Sequence, residues 1–220
     1  KPNYYRFKPA GGTLHSVHSL PAAQAFRQAY LERARKTSRP EVIVVGGGYT
    51  GLEVAACLRY GSDRAGLDPR IRVVELAPDI LTFLPEKPSK RLTSHLDERR
   101  VEIVTSTSLS SLTPDAAELS NGDRIADPVV CWSAGMQATQ DTITGEVERA
   151  RDGRIHVNEQ LQIPGHPEVF VAGDAANLTK NGTPLRRAVN FSYYSGRKAG
   201  RNAALLITGR EPGAFVPVDL

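Results

Sequence analysis

The sequence predicts an α/β fold built around a parallel β-sheet. Three short apolar stretches, at residues 42–45, 71–74 and 101–104, have the length and the β-branched composition of buried strands. Helical patterns over residues 49–60 and 89–99 separate them. Strands that alternate with helices indicate βαβ units, whose strands lie parallel in one sheet.

Six residues rich in glycine join the first of these strands to its helix. They are Gly46, Gly47, Gly48, Tyr49, Thr50 and Gly51. In this GxGxxG spacing the first glycine permits a sharp turn, the second lets a phosphate approach the backbone, and the third lets the helix pack closely on the strand. The N–H groups of the first helical turn, with their partial positive charge, can then hold that phosphate.

The second strand ends in a carboxylate, Glu75, which lies 24 residues after Gly51. This is close to the spacing at which an acidic side chain binds the ribose of a dinucleotide. The turn and the carboxylate together predict a dinucleotide site at the carboxyl ends of the strands. A carboxylate would also repel the 2′-phosphate of NADPH, so we expect NADH to be preferred. The alternative is a structural tight turn in which Glu75 is an ordinary strand-end residue.

Further elements precede and follow this core. Ser19 can cap a helix whose apolar face includes Phe26. The dipeptide Asn121-Gly122 indicates a hairpin within a β-meander. Another apolar strand is predicted over residues 127–132.

The last third of the chain starts a second set of elements. Strands are predicted over residues 154–161 and 168–174, the second one buried, and a helix over residues 189–208. The buried strand ends on Gly173 and Asp174, and this carboxylate is either a cap for the next element or a ligand contact. Five side chains of the helix are expected to face a core: Phe191, Tyr194, Ala199, Ala203 and Leu206.

The composition is that of a soluble globular protein, with 40% hydrophobic and 24% charged residues. No apolar run approaches the roughly 18 residues of a membrane span, and the N-terminus lacks the pattern of a signal peptide, so a cytoplasmic location is expected. Cys57 and Cys131 lie in apolar stretches without metal or redox spacing, and both are predicted to be buried core thiols. The sequence indicates neither a metal site nor a catalytic acid–base residue.

Charge divides the chain into three parts. Residues 41–174 carry 13 Lys and Arg against 21 Asp and Glu, whereas residues 1–40 and 175–220 are basic. Basic segments can bind nucleic acid, but no DNA-binding motif accompanies these, so no nucleic-acid partner is expected. The charge step instead favours an acidic domain inserted into a second domain that the two ends form together.

Four blocks of sequence, taken in order, resemble the second half of the FAD-dependent pyridine nucleotide-disulfide oxidoreductase family. They are GGGYTGLE, the strand-end Glu75, CWSAG, and RIHVNEQLQIPGHPEVFVAGDAANL with the helix after it. The segment CWSAGMQAT is most similar to type II NADH:quinone oxidoreductases. The resemblance implies a Rossmann-like NAD(H)-binding domain over residues 38–138, inserted into an FAD-binding domain formed by residues 1–37 and 139–220.

The resemblance also implies a role for each motif. The glycine turn would hold the pyrophosphate of NAD(H), with the nicotinamide side near Glu53 and the adenosine ribose at Glu75. Gly135 would let the nicotinamide end approach the backbone, and Asp174 would bind the ribityl chain or the pyrophosphate of FAD. The expected cofactor-binding residues are Gly46, Gly47, Gly48, Tyr49, Thr50, Gly51, Glu53, Glu75, Ala134, Gly135, Gly173 and Asp174.

The implied function is hydride transfer from NADH to FAD and then to an acceptor such as a quinone. The first FAD motif and the C-terminal domain of the family are missing, so we expect an inactive fragment without tightly bound flavin. Contacts with a second copy or with a membrane surface would come from the missing parts. Two alternatives stay open: a non-catalytic dinucleotide-binding module, and an NADH-dependent ferredoxin or disulfide reductase of the same family. The sequence does not determine the acceptor.

Overall fold

A computed structural model describes residues 2–82, 84–138, 143 and 145–217. The chain forms two compact units. The first, here called the N-terminal unit, comprises Pro2–Met136, and the second, the C-terminal unit, comprises the described residues from Gln137 onward. No helix in the part described is long and apolar enough to cross a membrane.

The N-terminal unit combines helices with a parallel sheet and an antiparallel sheet. Its helices are α1 (Leu20–Lys36), α2 (Tyr49–Arg64) and α3 (Glu86–Glu98). Its strands are β1 (Leu14–His15), β2 (Glu41–Val45), β3 (Arg70–Val74), β4 (Val101–Val104), β5 (Leu109–Leu112), β6 (Ala116–Leu119), β7 (Arg124–Ala126) and β8 (Val129–Trp132). Strands β1, β8, β2, β3 and β4 form, in that spatial order, a five-stranded parallel sheet, and β5, β6 and β7 form an antiparallel meander. The predicted α/β fold, with a parallel sheet and a β-meander, is confirmed.

Side chains of the parallel sheet alternate between two apolar clusters, because successive residues of a strand point to opposite faces. On one face, Val42 and Val44 pack in a cluster with residues of α1, α2 and α3. On the other face, Ile43 and Val45 pack with residues of the meander and with Trp132. Both faces of β2 are therefore buried, which explains why this strand is a continuous apolar run in the sequence.

Helix α1 is part of the N-terminal unit. The Ser19 hydroxyl accepts a hydrogen bond from the N–H three residues later at 3.3 Å, as predicted for a cap. Phe26 and Tyr30 are buried in the cluster that contains β2, and β1 pairs with β8. Residues 2–37 are thus part of the same compact unit as the central sheet. The division into domains at residues 38 and 138 stays a prediction.

Helix α3 begins at Glu86, directly after Pro85, which is three residues before the predicted start at Ser89. Ser89 is buried inside the helix and does not cap it. Its hydroxyl donates to the carbonyl oxygen of Ile80 at 2.9 Å and to the carboxylate of Asp79 at 3.1 Å. The serine therefore joins the loop after β3 to the helix. From the sequence alone, a serine at this place cannot be distinguished from one that caps the helix.

The C-terminal unit consists of short paired strands and one long helix, α4 (Val189–Ile207). Its strands are β9 (Ile155–His156), β10 (Gln162–Ile163), β11 (His166–Phe170), β12 (Ala176–Asn177), β13 (Thr179–Lys180) and β14 (Thr183–Pro184). They pair two by two, β9 with β12, β10 with β11, and β13 with β14. A 3₁₀ turn, Gly173–Ala175, lies between β11 and β12.

The strands predicted for this unit are wrong in extent. The strand predicted over residues 154–161 is reduced to the two residues of β9. The strand predicted as buried over residues 168–174 is β11, which ends at Phe170 and whose first three residues are exposed. Among the described residues, β11 pairs only with the two-residue strand β10, so one of its edges has no strand partner there.

Helix α4 is confirmed, but several side chains predicted to face its core do not. Phe191 and Ala199 are buried, whereas Tyr194 and Leu206 are 47% and 37% exposed. The buried face includes Asn202, whose amide N–H groups donate to two backbone carbonyl oxygens at 2.8 and 2.9 Å. A polar side chain that satisfies buried backbone groups therefore occupies a core position, which a pattern of apolar residues does not reveal.

Candidate functional site

A cavity of about 870 Å³ opens in the N-terminal unit at the carboxyl ends of β2, β3 and β8. The order of strands reverses here, since the chain passes from β2 to β3 and β4 on one side and returns to β8 on the other. Ligands of α/β proteins bind at such a switch point. Five of the residues predicted for the site line this cavity: Gly46, Gly48, Glu75, Ala134 and Gly135.

Two glycines of the turn are required by the folded chain itself. Gly46 has a φ of +110°, and a Cβ at this position would lie 2.7 Å from the Cα of Ala134. A Cβ at Gly51 would overlap the carbonyl oxygen of Gly46 and would lie 2.7 Å from the Oγ of Ser133. The structure therefore contains the sharp turn and the close approach of helix to strand that the sequence predicts for these two positions.

Gly48 differs from both. Its backbone has a φ of −78° and a ψ of 178°, which residues of any type adopt. Within the part of the chain that the structure describes, no atom lies within 4 Å of the position that a Cβ would take. The described protein atoms thus give no reason for glycine here, and the open space belongs to the cavity.

Glu75 is held beside the glycine turn by backbone hydrogen bonds. Its Oε2 accepts from the N–H of Gly47 at 2.6 Å, and its Oε1 accepts from the N–H of Ala77 at 2.8 Å. A Cβ at Gly47 would lie 3.1 Å from the Glu75 side chain and 2.8 Å from that of Ile80, so this glycine lets the carboxylate approach the turn. A carboxylate offers about four lone-pair positions, so two acceptor positions of Glu75 remain for a ligand.

The N-terminus of α2 completes this side of the cavity. The helix begins with Tyr49 and Thr50, directly after Gly48, and its first turn carries no acidic residue. Gly48 has no side chain with which to cap the helix. The N–H groups of a first helical turn have no partner within the helix, and an anion is their natural partner.

Glu53 lies elsewhere on the same helix. With Tyr49 and Cys57 it lines an apolar furrow of about 420 Å³ between α2 and α3. Glu53 is not among the residues that line the cavity with Gly46 and Gly135. Its position beside the nicotinamide stays a prediction.

The two cysteines have opposite environments. Cys57 is exposed, so the prediction of a buried core thiol is wrong for this residue. Helical periodicity explains the error, because α2 turns Leu52 and Ala55 to the sheet and Cys57 to the furrow. Cys131 is buried in β8 as predicted, and burial raises the pKa of its thiol to about 12.

Ser133, the third residue of the segment CWSAG, joins two sides of the cavity but was not among the residues predicted for the site. Its hydroxyl donates to the carbonyl oxygen of Val45 at 2.8 Å and lies 3.3 Å from that of Gly46. Its backbone N–H also donates to Val45 at 2.8 Å. These bonds fix Ala134 and Gly135 against the glycine turn. A polar residue directly at a strand end was the signal that could have identified it.

An aromatic segment near the start of the chain also lines the cavity. All four residues 4–7 line the cavity beside Gly135, and none of them was among the residues predicted for the site. The indole N–H of Trp132 donates to the carbonyl oxygen of Asn3 at 2.9 Å. This bond joins residues 129 positions apart, so no local pattern in the sequence reveals it.

Gly173 and Asp174 lie in the C-terminal unit, in the 3₁₀ turn after β11. Gly173 has a φ of +62°, and its N–H donates to the Ser195 hydroxyl at 2.9 Å. The carboxylate of Asp174 is exposed and accepts from the Ser192 hydroxyl at 3.2 Å. Asp174 is thus anchored to the first turn of α4 through the Ser192 side chain.

Comparison with known proteins identifies what this chain resembles. A family model described as pyridine nucleotide-disulphide oxidoreductase matches residues 5–194. An NADH dehydrogenase-like protein of Mycobacterium tuberculosis is 34% identical over 168 residues, which are 74% of this chain and 41% of that protein. A type II NADH:quinone oxidoreductase of Staphylococcus saprophyticus is 23% identical over 205 residues, 86% of this chain and 50% of that protein. The chain thus spans half or less of the length of these relatives.

Solved structures show the same fold. An FAD-dependent pyridine nucleotide-disulphide oxidoreductase from Desulfovibrio vulgaris has a TM-score of 0.66 at 22% identity, over 95% of this chain and 52% of that chain. An NAD-dependent persulfide reductase from A. fulgidus has a TM-score of 0.72 at 22% identity, over 96% of this chain and 39% of that chain. At this level of identity the likeness establishes the fold, which agrees with the sheet and the meander described above.

Proposed function

Because this chain belongs to the pyridine nucleotide-disulphide oxidoreductase family, we propose that its N-terminal unit binds NADH in the cavity at the carboxyl ends of β2, β3 and β8. In the whole protein, a bound FAD would accept the hydride of NADH, and the reduced flavin would pass the two electrons on to an acceptor. The family and its structural relatives support the predicted cofactors, NAD(H) and FAD.

The open space beside Gly48 is the observation that carries this proposal. The folded chain itself accounts for the glycines at Gly46 and Gly51. The glycine at position 48 is explained by a ligand that approaches the backbone, since a Cβ there would block it. A pyrophosphate at the N-terminus of α2 has this position, and the N–H groups of the first helical turn neutralise its charge.

The two ends of the dinucleotide are assigned to opposite sides of β2. Glu75, at the end of β3, takes the adenosine ribose, because its two backbone hydrogen bonds fix the carboxylate and leave one acceptor position on each oxygen for a ribose hydroxyl. Ala134 and Gly135, after β8, take the nicotinamide end. The switch point between β2 and β8 lies between these two groups.

The flavin is assigned to the C-terminal unit. The carboxylate of Asp174, held by Ser192, is proposed to bind the hydroxyl groups of the FAD side chain, next to the left-handed turn at Gly173. A bound flavin supplies the group that accepts the hydride. The chain's own contribution is to hold the two cofactors, which needs no acid–base residue.

The binding of NADH is tested by calorimetric titration of the 220-residue chain. Gly48→Val is expected to abolish binding without loss of helix content or of melting temperature, since the side chain enters open space. Gly61→Val is the matched control. Gly61 also lies in α2, no atom of the described residues outside its own helix turn lies within 4 Å of its Cβ position, and it does not line the cavity. Equal binding of NADH by wild type and by Gly48→Val would contradict the assignment.

The proposed role of Glu75 predicts that NADPH binds about 30- to 150-fold more weakly than NADH, the equivalent of about 2–3 kcal/mol. The nearby cation Arg72 does not relieve the repulsion, because it is paired with Glu41 at 2.6 Å and Glu102 at 3.1 Å. In Glu75→Ser the ratio of the two dissociation constants should approach one. Glu53→Ser, outside the cavity, should leave the ratio unchanged, and a wild-type chain that binds both cofactors equally would disprove the role.

A quinone is the acceptor that we propose for the whole protein, since a relative of this chain is named as an NADH:quinone oxidoreductase. The test is NADH oxidation by the whole protein with a soluble quinone, with ferredoxin and with a disulfide. Faster turnover with ferredoxin or with a disulfide than with the quinone would contradict this proposal and identify that compound as the acceptor. The cytoplasmic location, and any contact with a second copy or a membrane surface, stay predictions.

The isolated chain is better described as a dinucleotide-binding module. The GxGxxG turn between β2 and α2 serves the NADH cavity, and Asp174 supplies one contact for the flavin. The phosphates of FAD would lack the charge-assisted hydrogen bonds that a second such turn provides. The loss of several bonds of about 1.5–3 kcal/mol each weakens flavin binding by orders of magnitude. We therefore expect this chain to purify without flavin and to oxidise no NADH. An absorbance spectrum with stoichiometric FAD would contradict this.

A further inference from the structure

The segment before β1 forms a tight turn at the rim of the cavity, anchored on both sides. The N–H of Asn3 donates to the carbonyl oxygen of Gly135 at 3.0 Å, and the carbonyl oxygen of Asn3 accepts from the indole of Trp132 at 2.9 Å. The side-chain oxygen of Asn3 accepts from the N–H of Tyr5 at 3.0 Å. Asn3 therefore fixes the path of the turn with respect to the end of β8.

Aromatic contacts hold the two ends of this turn. The rings of Tyr4 and Phe7 lie 5.7 and 5.6 Å from the ring of Trp132, and the N–H of Phe7 donates to the carbonyl oxygen of Tyr4 at 2.7 Å. Aromatic pairs at such distances are attractive beyond the area that they bury. The residues between them, Tyr5 and Arg6, project from a turn whose ends are fixed.

The backbone between these anchors is strained. Tyr5 has a φ of 46° and Arg6 a φ of 70°, which is the left-handed region that bulky residues rarely adopt. Such a conformation persists only where the surrounding contacts impose it, and it is concentrated at functional sites. Here the strain has a visible result, because it directs the Tyr5 side chain to Gly135.

The Tyr5 ring has no role in the core. The side chain is 63% exposed and lines the cavity, and its hydroxyl oxygen lies 2.6 Å from the position that a Cβ would take at Gly135. In contrast to Tyr4 and Phe7, it is in none of the aromatic pairs of the described residues. Its aromatic face is therefore available to a ligand at the β8 side of the cavity.

We propose that Tyr5 stacks on the nicotinamide ring of the bound dinucleotide and is a specificity-determining contact for that ring. The inference rests on the function proposed above. The nicotinamide is favoured over the adenine because Tyr5 contacts Gly135 on the β8 side, whereas Glu75 and the adenosine ribose lie at β3, across β2. An offset stack of two rings corresponds to a change in affinity of about two- to twelvefold.

The experiment compares NADH with ADP-ribose, which has the adenosine and the pyrophosphate but lacks the nicotinamide. Dissociation constants for both are measured by calorimetry for wild type, Tyr5→Ala, Tyr5→Gly and Tyr5→Phe. Tyr5→Gly guards against an effect on folding, since glycine relieves the left-handed backbone while removing the ring. Tyr60→Ala is the matched control, because Tyr60 is a tyrosine of similar exposure, 60%, outside the cavity.

Tyr5→Ala and Tyr5→Gly should weaken NADH about two- to twelvefold and change ADP-ribose affinity by less than about twofold, while Tyr5→Phe and Tyr60→Ala resemble wild type. An equal loss for the two ligands, or no loss for NADH, would overturn the role of Tyr5 while leaving the NADH site intact. A wild-type chain that binds neither ligand would overturn the proposed function, and the role of Tyr5 with it.

Discussion

In the N-terminal unit, strands of four or five residues form most of one parallel sheet, and apolar clusters cover both of its faces. In the C-terminal unit most strands have two residues, and buried polar side chains such as Arg154 and Asn202 bind backbone carbonyls. The glycine turn thus follows a strand that apolar clusters cover on both faces, whereas the turn with Asp174 is joined to α4 by hydrogen bonds of Gly173 and Asp174 with serine side chains. The two units should therefore be sensitive to different mutations.

The reactivity of the Cys131 thiol should report the unfolding of the N-terminal unit alone. The sequence has two cysteines, and both lie in the N-terminal unit. Because burial raises the pKa of Cys131 to about 12, very little of its thiol is ionised at pH 8. A thiol reagent should modify Cys57 at once and Cys131 only on unfolding. Rapid modification of two thiols in the native chain would contradict this.

The raised pKa of the Cys131 thiol also predicts how the free energy of unfolding changes with pH. Below about pH 9 the Cys131 thiol is protonated in the folded and in the unfolded state, so it has no effect on the pH dependence. Above that pH only the unfolded state ionises, so the free energy of unfolding should fall as the pH rises from 9 towards 12. Cys131→Ala should remove this part of the pH dependence.

The largest predicted loss of stability is that of Gly51→Val. Its Cβ overlaps the carbonyl oxygen of Gly46, so the strand and the helix must separate, at a cost of about 4 kcal/mol or more. The measurement is the urea concentration at which Cys131 becomes reactive. The control is Gly61→Val, whose side chain enters open space and should have little effect. Gly66 is unsuitable as a control, because at its φ of +68° any side chain adds strain. A normal midpoint for Gly51→Val would show that packing does not position the turn.

Asp152→Asn should affect the C-terminal unit. The Asp152 carboxylate accepts from the Nε of buried Arg154 at 2.8 Å and pairs with Arg187 at 3.2 Å. Removal of its charge leaves a buried guanidinium without its counter-ion and should cost about 2–3 kcal/mol. The readout is faster hydrogen exchange in β9 and α4. Glu118→Gln, which breaks the exposed pair with Arg124, should change stability by less than about 1 kcal/mol.

The Asp152 variant also tests whether the two units are independent. If the N-terminal unit unfolds independently of the C-terminal unit, Cys131 should become reactive at the same urea concentration as in wild type. An equal shift in Cys131 exposure and in the exchange of α4 would show instead that the chain unfolds as one unit.

The smallest predicted effect concerns the start of the chain. Ser19→Ala removes the cap of α1 and should destabilise the N-terminal unit by about 1 kcal/mol, measured as earlier exposure of Cys131. The exposed Ser38, just beyond the same helix, provides the control Ser38→Ala. An unchanged Cys131 midpoint in Ser19→Ala would mean that residues 2–37 do not stabilise the sheet.

The difference between the units also explains what could be predicted from the sequence. The elements β2, α2 and β3 were predicted within a few residues, because a strand buried on both faces is a continuous apolar run and a glycine turn has fixed spacing. Two-residue strands such as β9 have no periodicity to detect. Asn202 was missed because its place in the core depends on backbone partners that are remote in sequence.

The same reasoning applies to the candidate site. The glycine turn and Glu75 were found because their spacing is local. The segment with Tyr5 was missed, since only the long-range bond between Trp132 and Asn3 brings it to the cavity. Cys57 was wrongly placed because an apolar stretch in a helix still has an exposed face.

The most direct test of the central claim is hydrogen exchange of the chain with and without NADH. The cavity is lined by residues of the N-terminal unit, so binding should slow exchange at residues 46–51, 75–77 and 133–135 and leave α4 unchanged. Gly48→Val should abolish this protection. Protection confined to the C-terminal unit, or no protection at saturating NADH, would contradict the assignment of the NADH site to the cavity beside Gly48.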